Sequence, residues 1–273
     1  MDYTTNRENQ IDYFNNLGID TSFPGYYDDP YFLELEKKNP NLLNNYASII
    51  YQTTFDRKYL EHAESVTKIF CESLYDELSK DGRQGACIDI SCALSRMLEK
   101  EGIWNYVTKG SLTVSIPRGY GFKKKHFYTV DHGNHVAGHA WITAPPFQVI
   151  DLTVKEQNYL PHEKQMLPDF IFQKEVTWDN FNLEEVVAPH ILQMLMYQFK
   201  NNAKAILKHL NPDWEIFTKF FKPMYFANNS IKFKYSPIGI AAPDLPLEEF
   251  TSLSLNGRTA LEIYSNIQRC NLK

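Results

Sequence analysis

The spacing of hydrophobic residues changes twice along the chain. Up to about residue 80 it is helical, as at Val66, Ile69, Phe70 and Leu74, because residues three and four apart share one face of a helix. Short runs typical of strands follow in the middle, and helical spacing returns after residue 153. This order predicts an α+β fold in which a helix lies against an antiparallel sheet.

A helix over residues 86–101 is predicted at the first of these changes. Gly82 and Gly85 interrupt the helical pattern before it. Gly102 suits the position just after a helix, because glycine adopts left-handed backbone angles without strain. The apolar face of this helix consists of Ile90, Leu94, Met97 and Leu98.

Three strand-like runs follow, at residues 104–116, around 136–143 and at 147–153. The stretch 118–135 between the first two runs is polar, contains glycine and is locally basic. We interpret it as an excursion over the surface that could serve as a substrate loop or lid.

The C-terminal part again predicts helices. A long amphipathic helix is indicated over residues 191–210, a shorter one over 214–221 and a last one over 259–268. The stretch 223–246 between them mixes short strand-like runs with prolines.

The chain length suits one large domain or a core with appended helices, since the sequence has 273 residues. We divide it into an N-terminal helical segment (1–80), a core (81–160) and a mostly helical C-terminal segment (161–273) packed on the core. The three segments are expected to form one compact unit.

Composition excludes several classes of protein. Hydrophobic residues make up 43% and charged residues 22%, as in ordinary globular proteins. The net charge of −5 argues against non-specific nucleic-acid binding. The first residues lack an apolar signal region, and no apolar run is long enough for a bilayer span. The four cysteines form no CxxC pair, so we expect a reduced, cytoplasmic protein without disulfides.

Cys87 is the candidate nucleophile, because it stands between a glycine-rich turn and the first turn of the predicted helix. Free backbone N–H groups and the helix dipole favour a thiolate there, and the same N–H groups could stabilise an oxyanion. Cys92 points roughly 140° away around the helix, and Cys71 and Cys270 lack comparable surroundings. The alternative is that Cys87 is a small buried hydrophobe, as most free cysteines are.

His139 and Asp151 are the candidate base and carboxylate. They lie on two strand-like runs joined by Ala144-Pro145-Pro146, a connection suited to a hairpin turn. Cross-strand pairing of the two would satisfy the buried carboxylate, fix the tautomer of the ring and stabilise the imidazolium. A purely structural histidine is the alternative.

Two further residues could take part in the chemistry. Gln84 precedes the cysteine by three residues, and its amide could donate to an oxyanion; it could equally be an exposed turn residue. Trp141 could line an acyl pocket or donate through its indole N–H, or it could pack in the core beside His139.

The sequence does not predict a metal site. His132 and His135 lie near Asp131, and such groups can bind metals. No HExxH motif or additional ligand cluster accompanies them, so a solvated loop is the favoured interpretation. No metal and no organic cofactor is expected.

Three short motifs together resemble the transglutaminase-like superfamily of papain-type enzymes. They are Gly85-Ala86-Cys87, His139-Ala140-Trp141 and Asp151-Leu152-Thr153, within residues 83–153. Arg83 is also similar to the arginine before this element in arylamine N-acetyltransferases, a related branch. The sequence departs from the superfamily where Leu152 replaces the usual proline, and from the acetyltransferases where their two adjacent glycines are absent.

The resemblance implies a Cys–His–Asp triad on a papain-like core, with a nucleophile-bearing helix on an antiparallel sheet and flanking helices. It implies acyl transfer through a thioester, and we expect hydrolysis of a peptide, isopeptide or glutamine-type amide in a protein or peptide substrate. Two alternatives stay open. One is a transglutaminase-type or acyl-CoA-dependent N-acyltransferase, and the other is an inactive binding module that retains the fold.

Overall fold

The computed structural model describes residues 3–119, 121–131 and 138–271. Its helices are α1 (Arg7–Asn16), α2 (Pro30–Glu36), α3 (Leu43–Gln52), α4 (Arg57–Asp81), α5 (Cys87–Lys100), α6 (Pro161–Lys164), α7 (Pro189–Gln198), α8 (Ala203–Leu210), α9 (Trp214–Phe220) and α10 (Ala260–Asn271). Its strands are β1 (Tyr106–Arg118), β2 (Gly121–Phe127), β3 (His139–Ala144), β4 (Phe147–Asp151), β5 (Ile171–Gln173), β6 (Thr177–Trp178), β7 (Met224–Asn228), β8 (Ile231–Ala241), β9 (Ser254–Leu255) and β10 (Arg258–Thr259).

The main sheet has the strand order β5-β4-β3-β1-β8-β7-β6, and β2 also pairs with β1. It is antiparallel and curled, so the predicted α+β class is confirmed. Strands β2 and β3 follow one another along the same edge of β1, because Leu112 pairs with Phe127 and Gly110 pairs with His139. The chain therefore leaves this edge after Phe127 and rejoins it at His139.

Helix α5 lies where the sequence predicts it. Gly82 ends α4 with a left-handed φ of 73°, and Gly85 adopts a φ of 69° in the turn before α5. The predicted apolar face of α5 is buried against Ala140, Ile142 and Ala144 on one face of β3. The first residue of α5 is thereby brought to the end of the sheet where β3 begins.

The opposite face of β3 lines the inside of the curl. Trp141 packs there with Val149 of β4 and Tyr235 of β8 in a separate hydrophobic cluster. The N-terminal helices form another cluster with α9, and α7 and α8 form a further cluster with Ile238 of β8.

The single helix predicted over 191–210 is wrong, because two helices occupy this stretch. Helix α7 ends at Gln198, and Lys200 and Asn201 take left-handed φ values of 51° and 59°. The side chain of Asn202 then accepts a hydrogen bond from the backbone N–H of Ala205 and caps α8. The apolar period continues across the break, so periodicity alone did not detect it.

The surface excursion predicted over 118–135 is wrong in its first half. Residues Gly121–Phe127 form β2, which pairs with β1 along its whole length. Most of β2 is exposed or half-buried, so it lacks the apolar alternation that would have indicated a strand. The candidate metal ligands His132 and His135 lie outside the described residues.

The sheet does not stop at the predicted segment boundary at residue 160. Strand β8 pairs with β1 over Ser115–Val107, and β5 pairs with β4. The segment 161–273 therefore supplies strands of the sheet as well as helices, and β8 brings residues from far along the chain next to β3 and β4.

Candidate active site

His139 and Asp151 stand at the open end of the hairpin formed by β3 and β4. Ala144 pairs with Phe147 beside the turn, Ile142 pairs with Ile150, and the register shifts between these two pairs. The extra residue lies on β4, where the Thr143 hydroxyl donates to the carbonyl oxygen of Gln148 at 2.9 Å. This is a β-bulge.

The bulge decides which face the carboxylate occupies. Continuing the Ile142–Ile150 register by one residue brings Asp151 opposite Trp141, so Asp151 reaches His139 diagonally. The predicted cross-strand pairing of His139 with Asp151 is thus observed, but on a diagonal, because the two residues do not lie directly opposite each other. Without the extra residue, Asp151 would lie opposite Ala140 and face α5.

The two side chains form a buried hydrogen bond. Nε2–H of His139 donates to Oδ2 of Asp151 at 2.5 Å, and neither side chain has exposed surface. The other carboxylate oxygen, Oδ1, accepts from the backbone N–H of Thr153 at 2.8 Å and from its hydroxyl at 3.0 Å. Tyr235 Oη donates to Oδ2 at 2.8 Å. The carboxylate is therefore hydrogen-bonded on both oxygens.

These last two partners were missed from the sequence. Thr153 has a recognisable local signal, since an Asp followed two residues later by a polar residue often forms such a turn. Tyr235 has none, because it is 84 residues from Asp151 and belongs to a different strand.

The pair is ionised in its favoured state. Burial by itself lowers the pKa of His139, but the Asp151 carboxylate and Cys87 more than offset this and raise it to about 10. Burial also tends to raise the pKa of Asp151, but the His139 charge and the hydrogen bonds from His139, Thr153 and Tyr235 lower it below its usual value. The ring is thus held as an imidazolium beside a carboxylate.

The free energy of unfolding is expected to fall as the pH rises from about 6.5 to about 10. The unfolded-state pKa of histidine is about 6.5, and the folded-state pKa of His139 is higher. The stabilisation is therefore complete below about pH 6.5 and lost as the pH rises through about 10. Urea midpoints across this range should fall more for the wild type than for His139→Gln, which does not titrate. Parallel curves would contradict the raised pKa.

Cys87 is the first residue of α5 and is 6% exposed. Its thiol donates weakly to the carbonyl oxygen of Gly138 at 3.9 Å, directly before His139 in the chain. Nδ1 of His139 is buried and has no hydrogen-bond partner of normal geometry among residues 3–119, 121–131 and 138–271. Cys87 also helps to raise the pKa of His139, so its side chain lies near this ring, whose Nε2 is already bonded to Asp151.

The start of α5 offers backbone donors beside this thiol. The N-cap residue is Ala86, which has no side-chain oxygen to accept from the first-turn N–H groups. Those groups carry the positive end of the helix dipole. They are thus positioned to interact with negative charge on the sulfur or on an oxyanion formed next to it.

The other cysteines have different surroundings. Cys71 and Cys92 are buried, and burial raises the pKa of the Cys71 thiol well above its usual value and that of Cys92 to about 12. Cys270 is exposed. The alternative of Cys87 as a small buried hydrophobe keeps support from its packing in the core cluster around α5.

Gln84 and Trp141 are placed very differently. Gln84 is exposed on the turn before α5. Trp141 is fully buried, stands edge-on to the Tyr235 ring at 5.0 Å, and its indole N–H has no hydrogen-bond partner in the described part of the chain. The core-packing interpretation of Trp141 is thereby supported.

Among the described residues, no three His, Cys, Asp or Glu side chains cluster as metal ligands would. His126 is engaged locally, since its Nδ1 lies 2.9 Å from the Thr113 hydroxyl and its ring stacks on Tyr128. Within the same described ranges, no helix has both the length and the apolar character of a bilayer span.

Comparisons with known proteins returned no relative. No protein-family model matches the sequence, no curated protein is significantly similar to it, and no solved structure is significantly similar to its fold. The chemistry of the site is therefore inferred from its own residues.

Proposed function

We propose that this protein is a cysteine-dependent acyl-transfer enzyme with a papain-type core, similar to the transglutaminase-like superfamily. The observation that carries the proposal is the buried pair of His139 and Asp151, which occupies Nε2 and leaves Nδ1 unbonded within the described residues, while the Cys87 thiol contacts the carbonyl of the preceding Gly138. A nucleophile, a base and a group that orients the base are the three parts that this chemistry needs.

Each residue has one role in the reaction. Cys87 first gives its proton to Nδ1 of His139, and the resulting thiolate attacks the carbonyl carbon of an amide. As the C–N bond breaks, the imidazolium returns the proton to the departing amine, and a thioester on Cys87 remains. Asp151 keeps the ring oriented and stabilises the imidazolium. The N–H groups of the first turn of α5 stabilise the oxyanion.

The second step depends on the acceptor. Water would release the acid and make the protein a peptidase, an isopeptidase or a deamidase, whereas an amine would make it a transferase. We favour hydrolysis of a peptide, isopeptide or glutamine-type amide, because the sequence contains no recognisable second motif for an acyl-CoA or an amine substrate.

One observation favours a second candidate function, a binding module that has kept the fold without activity. Cys87 is only 6% exposed, and its thiol is occupied by the Gly138 carbonyl. An inactive module predicts a slow, unactivated thiol at this position.

Alkylation with iodoacetamide at about pH 6, followed by peptide mapping, separates these two functions. We expect Cys87 to react faster than the exposed Cys270, because the proposed mechanism activates the thiol of Cys87 through His139. His139→Ala should slow the reaction of Cys87 by at least about tenfold and leave Cys270 unchanged.

The matched control is His126→Ala, which removes a half-buried histidine that pairs with Thr113 on the same sheet. It should leave the alkylation of Cys87 unchanged. A Cys87 that reacts no faster than Cys270, or equally fast without His139, would contradict the enzymatic proposal and favour the inactive module.

A further inference from the structure

Tyr235 is joined to the carboxylate oxygen that also holds His139. Its hydroxyl donates to Oδ2 of Asp151 at 2.8 Å, and Nε2–H of His139 donates to the same atom at 2.5 Å. The Tyr235 ring is completely buried between Trp141 and Phe226, at centroid distances of 5.0 and 5.9 Å. The hydroxyl is therefore held in a fixed position by packing on both sides.

A second donor on Oδ2 has a definite electrostatic effect. Two donors to one oxygen share its lone-pair density, so each makes the oxygen a weaker acceptor for the other. The Tyr235 hydroxyl also stabilises the ionised form of the carboxylate and contributes to the lowered pKa of Asp151. It thus opposes transfer of the Nε2 proton to Asp151 across a short hydrogen bond.

We infer that Tyr235 is a positioning residue for the proposed reaction, acting through Asp151 on the charge and orientation of His139. This inference rests on the proposed function. Its chemical content is that the Tyr235 hydroxyl keeps the proton on Nε2, so that Nδ1 alone exchanges protons with Cys87 and the substrate.

The test is the downfield proton NMR signal of His139 Nε2–H, followed over pH in the wild type and in Tyr235→Phe. Phenylalanine keeps the packed ring and removes only the donor. Oδ2 then becomes a stronger acceptor, so we expect the signal to move further downfield. The acid pH at which this signal is lost should rise by about one unit, because Asp151 loses a hydrogen bond to its charged form.

The acid limb of Cys87 alkylation, that is, the pH below which the reaction slows, should move to higher pH together with the loss of the Nε2–H signal. The control is Tyr26→Phe, because Tyr26 is equally buried in another cluster and its hydroxyl has no hydrogen-bond partner in the described residues. It should change none of these readouts. A signal and an acid limb in Tyr235→Phe identical to those of the wild type would overturn the inference.

A variant that keeps the hydroxyl guards against misfolding of Tyr235→Phe. Site-specific 3-fluorotyrosine at position 235 is a stronger donor of nearly the same size, so it should move the Nε2–H signal upfield, and an unmoved signal would equally overturn the inference. The two proposals fail differently. A wild-type Cys87 no more reactive than Cys270 contradicts the enzyme, whereas a reactive Cys87 with an unchanged acid limb in Tyr235→Phe contradicts the role of Tyr235.

Discussion

Replacing Asp151 with alanine is expected to lower the free energy of unfolding by about 3–5 kcal/mol, the usual cost of breaking a buried ion pair from one side. The substitution leaves the His139 ring buried without the charge that raises its pKa. It also leaves the Thr153 and Tyr235 donors without their acceptor. Urea unfolding at neutral pH measures the loss, and alkylation of Cys87 should slow in the same variant.

The matched control is Asp169→Ala. Asp169 also forms an ion pair, with Lys155 at 2.5 Å, but its side chain is 60% exposed. Exposed pairs of this kind contribute about 0–1 kcal/mol. If both variants lost the same free energy of unfolding, the buried pair of His139 and Asp151 would contribute no more stability than an exposed ion pair.

Gly110→Ala is expected to destabilise the protein by about 3 kcal/mol or more, at the upper end of the cost of overpacking. A Cβ at this position would lie 2.2 Å from the backbone carbonyl oxygen of Ser236 and 2.8 Å from Cη2 of Trp141. A backbone atom of a central strand cannot move aside as a flexible side chain can. The strain would fall on β1, β3 and β8, where they hold His139 and Tyr235.

The comparison for this variant is Gly121→Ala at the start of β2, where a Cβ would meet no atom within 4 Å. Its effect should stay within about 0.5 kcal/mol. Unfolding in urea and the rate of Cys87 alkylation are the measurements. A Gly110→Ala protein with wild-type stability and reactivity would show that the close contact of β1 with β8 is not required.

Two predictions that the structure bears out, helix α5 and the contact of His139 with Asp151, depend on local signals. Helix α5 begins and ends near residues that stop helices for steric reasons, namely Gly85 and Gly102. His139 and Asp151 were found because a buried carboxylate in a strand needs a partner and the adjoining strand offered one. These signals involve only neighbouring residues or adjoining strands, so they can be recognised in the sequence without knowledge of the tertiary structure.

The features that were not predicted depend on long-range packing or on the exact register. Tyr235 enters the site only because β8 pairs with β1, a pairing between residues more than 100 positions apart. Strand β2 is mostly polar and nowhere fully buried, so it lacks the apolar alternation typical of a strand. The helix predicted over 191–210 breaks at Lys200 and Asn201, whose left-handed backbone angles do not disturb the apolar period.

Whether His139 and Asp151 lie on the same face of the β3–β4 hairpin depends on whether their separation along the chain is odd or even, and the bulge changes which of the two is required. His139 and Asp151 are 12 positions apart, an even number, and Pro145-Pro146 form a two-residue turn. In a regular hairpin with such a turn, residues on the same face are an odd number of positions apart. The one extra residue of the bulge on β4 shifts the strand by one position and so places Asp151 on the same face as His139. Deleting this residue from β4 would therefore turn the carboxylate away from His139 and towards α5, whereas an insertion within the turn would lengthen the loop and leave both faces unchanged.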